Sequence, residues 1–176
     1  MTPRQYQYLT MGLLVIAAVL AQTLLAARLP LPGPPVGIAL AMVIAIGLAG
    51  GSTPGAVAGF SAGLLLDIFP PAATTLGVSA LALLIAGTLA GRVPDPRGLA
   101  PAQVAGLLAG IAALTWLLVQ ALFWLLGDPV APVSWLLWFV AGVTLVGLAL
   151  TPAVAWLLRR FVPGRRSRRR PAVPVE

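Results

Sequence analysis

The chain has 176 residues, 60% of them apolar and 9% charged, against roughly 45–50% and about 25% in a soluble domain. Eleven arginines outnumber four acids for a formal charge of +7, and cysteine, histidine and lysine are absent. This composition excludes an ordinary soluble domain, a disordered chain, disulfide frameworks, thiolate and imidazole catalysis and nearly every zinc or haem site. It leaves a small, basic, integral membrane protein.

Six apolar segments follow one another: Leu9–Ala27, Val36–Gly51, Gly55–Phe69, Leu76–Gly91, Ala102–Leu126 and Val133–Leu158. They are separated by Pro30 to Pro35 with Gly33, Ser52-Thr53-Pro54, Pro70-Pro71, Pro94 to Pro101, and Gly127 to Pro132. The expected fold is all-α, a bundle of about six transmembrane helices over residues 1–160. A basic tail, expected to be cytoplasmic and disordered, occupies 161–176. A helix needs about 20 residues to cross a bilayer. The first, fifth and sixth segments meet that length, and the second to fourth do not. Four spans with a re-entrant hairpin over Val36–Phe69 therefore stand as the alternative to six. The first segment is longer than a signal-peptide core and is read as a retained span.

Arginine near span ends favours the cytoplasm. With six spans and the N-terminus inside, Arg4, Arg92, Arg97 and the seven tail arginines are cytoplasmic, and only Arg28 is outside. Both termini are thus expected inside. The tail residues Arg159, Arg160, Arg165, Arg166, Arg168, Arg169 and Arg170 suit anionic lipids or an acidic protein. Nucleic acid is not expected, since no recognition fold accompanies them.

Gly55, Gly59 and Gly63 recur every four residues, and Asp67 continues the series. On a helix this makes a ridge without side chains, where another backbone can approach. The ridge can serve tight packing within the chain or a partner surface. Asp67 is the one acid inside an apolar segment, and such residues face protein or water rather than lipid. It can accept hydrogen bonds from Thr74, Thr75 or the start of the fourth helix, with Thr75 as its N-cap. Alternatively it binds a proton, a cation or an arginine.

Gly47/Gly51, Gly87/Gly91 and Gly106/Gly110 repeat the small-residue spacing. Gln22 and Gln120 are the large polar side chains within long apolar runs, suited to bonding across helices. All five tryptophans fall in the last two segments, and Trp124 and Trp135 suit an interfacial belt. Paired carboxylates, metal clusters and a phosphate loop are missing from the sequence, so neither enzymatic activity nor a metal or cofactor is expected.

Gly59-Phe60, Gly63, Leu66-Asp67 and Leu76-Gly77-Val78, followed by Ala80-Leu81, resemble the central signature of the MreD family of rod shape-determining membrane proteins. That signature is a Gly-Phe-x-x-Gly-x-x-x-Asp helix end, a short turn, and Leu-Gly opening the next helix. The specific part covers Gly55 to Arg92, and its turn, Pro70-Pro71-Ala72-Ala73-Thr74, departs from the family's Gly/Ser-rich form. Gln22 near the end of the first span and the basic tail also fit. The resemblance implies a non-enzymatic scaffold of the bacterial cell-elongation machinery in the inner membrane. Its partners would be MreC, RodA with a class B penicillin-binding protein, and MreB filaments. It groups Gly55, Gly59, Gly63, Asp67 and Gly77 as the packing or partner interface.

It also implies a fold similar to the S-components of energy-coupling-factor vitamin transporters. A substrate-binding subunit of such a transporter is therefore the rival expectation, with Ala17-x-x-x-Ala21 as its docking face. Handling of a lipid-linked precursor is a third.

Overall fold

A computed structural model describes residues 3–28, 37–68, 76–94 and 98–161. The described residues form helices α1 (Pro3–Arg28), α2 (Ile38–Gly50), α3 (Ser52–Ile68), α4 (Val78–Ala90), α5 (Pro101–Leu126) and α6 (Ser134–Phe161), with no strand among them. The all-α, six-helix reading is correct. Helix ends differ from the apolar boundaries where helix propensity and hydropathy part company. Arg4, Gln5 and Gln7 are polar but good helix formers, so α1 starts at Pro3 rather than Leu9. The second and fourth helices are shorter than their apolar segments, at 13 residues each.

α2 touches all five other helices, which follow one another around it in the order α1, α3, α4, α5, α6. Every residue from Ala39 to Leu48 is buried. A helix apolar on all sides belongs in a core, and α2 supplies Val43, Ile44 and Ile46 to it, against Val19, Leu108 and Val143 from its neighbours. Encased in protein, α2 has no need to match a bilayer in length.

The outer helices bury one side and expose large apolar residues on the other, such as Leu13 on α1, Phe60 on α3, Leu125 on α5 and Leu137 on α6. Water would not tolerate so much apolar surface on a monomer; lipid would. Three helices are long and apolar enough to cross a membrane, over Tyr8–Leu25, Pro101–Leu126 and Ser134–Leu157. α6 runs on through Pro152. The hydroxyl of the preceding Thr151 donates to the Gly147 carbonyl at 2.6 Å.

Candidate functional site

The glycine ridge of α3 lies against α4, backbone to backbone. A Cβ placed on Gly59 would overlap the Leu83 carbonyl, and one on Gly63 would overlap the backbone of Ser79 and Ala80. At the other end of the pair the relation is reciprocal. A Cβ on Gly55 would strike the Gly87 carbonyl, and one on Gly87 would strike the Gly55 carbonyl. Gly47 of α2 joins this point, since its own Cβ would lie 2.7 Å from the Gly87 oxygen. Three helices thus converge where none can carry a side chain. The contact is built from dispersion and from Cα–H groups close to carbonyl oxygens. Val57, Phe60, Leu64 and Ile68 lie on the exposed side of α3, so its two faces differ in size rather than polarity.

Asp67 ends this ridge and is buried at 5% exposure. Its Oδ2 accepts the Gly77 N–H at 2.8 Å and the Ala80 N–H at 3.3 Å. Gly77 is the N-cap of α4, with φ +99°, and supplies no side chain. In a capping box the N-cap side chain takes the N3 N–H, while the N3 side chain takes the N-cap N–H. Here one carboxylate oxygen on the preceding helix does both. The accepting oxygen also sits at the positive end of the α4 dipole. The N-cap of α4 is therefore Gly77 and not Thr75, which lies outside the described residues together with Thr74. The reason is geometric: the left-handed φ of Gly77 turns the chain into α4 and leaves the cap to Asp67. A Cβ on Gly77 would meet nothing within 4 Å, so Gly77 serves the turn rather than the packing of the ridge. Asp67 Oδ1 is shielded from solvent and has no hydrogen-bond partner among the described residues.

Gln22 repeats the arrangement one hairpin earlier. Its Oε1 accepts the Ala39 N–H at 2.9 Å, at the second position of α2, whose N-cap is again a glycine, Gly37. In the third hairpin Gln120 Nε2 donates to the Ala131 carbonyl at 2.9 Å, fixing the α5–α6 turn. Each odd-numbered helix thus carries a polar side chain in its C-terminal third that bonds a backbone group at or just before the start of the next helix. The sequence carried a signal for the first two: a helix opening on glycine, without a capping side chain, after an apolar helix with a polar residue in its C-terminal part. The third has no such mark.

Several hydroxyls are turned onto the backbone of their own helices. Ser61 donates to the Val57 carbonyl, Thr88 to Leu84, Thr115 to Ile111 and Thr144 to Val140, all at 2.7–2.8 Å. Gly106 and Gly110 face open space, as does Gly12 on α1, and Ala17 and Ala21 of α1 are also exposed. Trp124 and Trp138 are exposed, Trp116 is buried, and Trp135 is half-buried. Arg159 and Arg160 lie in the last turn of α6. Their side chains, and Arg165, Arg166, Arg168, Arg169 and Arg170, lie outside the described residues. No group of three or more acidic residues that could hold a metal occurs among the described residues. The chain matches no family model, no curated protein and no solved structure.

Proposed function

We propose that the chain is a multi-pass, non-enzymatic membrane scaffold of the MreD type, acting in the bacterial cell-elongation complex. In this reading it lies in the inner membrane with both termini in the cytoplasm. It binds MreC and the synthase formed by RodA and a class B penicillin-binding protein. MreB and anionic lipids meet its arginine-rich cytoplasmic side.

One observation carries the proposal: the residues of the resemblance form one physical unit. Gly59 and Gly63 bring α3 against α4, Asp67 caps α4, and Gly77 makes the turn between them. A scaffold needs such rigidity, and it needs no reactive groups. The solute-binding alternative requires free polar side chains inside the bundle. Of the side chains that could supply them, Gln22, Asp67 and Gln120 each hold backbone through one atom and Ser61 donates to its own helix, which leaves Asp67 Oδ1 as the shielded atom without a partner among the described residues.

Affinity capture of the full chain from native membranes tests this reading. MreC and the cell-wall synthase are expected in the eluate. Recovery of transporter ATPase and T-component subunits without them would overturn it in favour of an S-component role.

A further inference from the structure

We draw no further inference here: the strongest candidate, the solvent-shielded Asp67 Oδ1 at the joint between α3 and α4, belongs to the site already described, and nothing among the described residues shows what would reach it.

Discussion

The α3–α4 and α5–α6 pairs are both hairpins of consecutive apolar helices, yet they are held together by opposite means. In α3–α4 the facing surfaces are glycine and alanine, the backbones touch, and a carboxylate closes the end. In α5–α6 a comparable point is Gly147, where an added Cβ would lie 2.6 Å from Leu108 Cδ2, a flexible side chain rather than a backbone atom. Above it the helices expose large residues. The contrast shows that apolar character alone says nothing about tightness, which depends on the volume left between the axes.

The largest expected effect follows from that difference in volume. Gly59→Leu or Gly63→Leu places a branched side chain where even a Cβ overlaps main chain. Overpacking commonly costs 1–3 kcal/mol and occasionally more, and here no flexible side chain can yield. We expect a loss above about 3 kcal/mol in reversible unfolding from mixed micelles, or no folded protein. Gly110→Leu, facing open space on α5, should unfold within about 1 kcal/mol of the parent. Equal losses at Gly59 and Gly110 would remove the distinction between the two hairpins.

Next in size are the end contacts. Asp67→Ala strips the acceptor from the part-buried Gly77 N–H and the buried Ala80 N–H at the start of α4, and an orphaned buried donor costs about 1–3 kcal/mol. Asp67→Asn keeps an accepting oxygen but buries an amide N–H₂ in place of Oδ1, so its stability should fall between parent and alanine. Hydrogen exchange at Gly77 and Ala80 reads the contact directly and should quicken in the alanine variant. Asparagine as damaging as alanine would mean that the charge at the α4 terminus matters more than hydrogen bonding. Gln120→Leu, which frees only the Ala131 carbonyl, should cost less, about 0.6 kcal/mol.

These residues also show which parts of the fold were legible in the sequence. The ridge was readable because glycine at every fourth position has one geometric meaning on a helix. Its partner surface was only half readable. Gly87 is the mirror of Gly55, but spacing alone ranks Gly87/Gly91 no higher than Gly106/Gly110, and the structure packs the first pair and leaves the second open. The difference is set by which helices become neighbours, and that information is non-local. The central place of α2 was hidden for a related reason. Once every segment is apolar, a helix buried by protein and one covered by lipid read alike. Asp67 was identified as a candidate for the start of α4, whereas its double duty required the left-handed turn at Gly77.

The smallest effect tests the open side of the comparison most sensitively. Gly110 and Gly106 carry helix-interior φ and ψ on α5, with nothing within 4 Å of an added Cβ. Alanine at such a site leaves every native contact in place and narrows the unfolded ensemble, so it should stabilise by about 0.5 kcal/mol. The same change at Gly55 or Gly87 should destabilise, because the new methyl would meet a carbonyl oxygen. A pair of substitutions with identical chemistry and opposite sign isolates interhelical distance as the cause. If Gly110→Ala also destabilises, α5 has a close neighbour at that face in the folded protein, and the hairpin is not open there. Repeating the measurement with the chain diluted in excess detergent assigns that neighbour: a destabilisation that vanishes on dilution comes from another polypeptide, and one that persists comes from within the bundle.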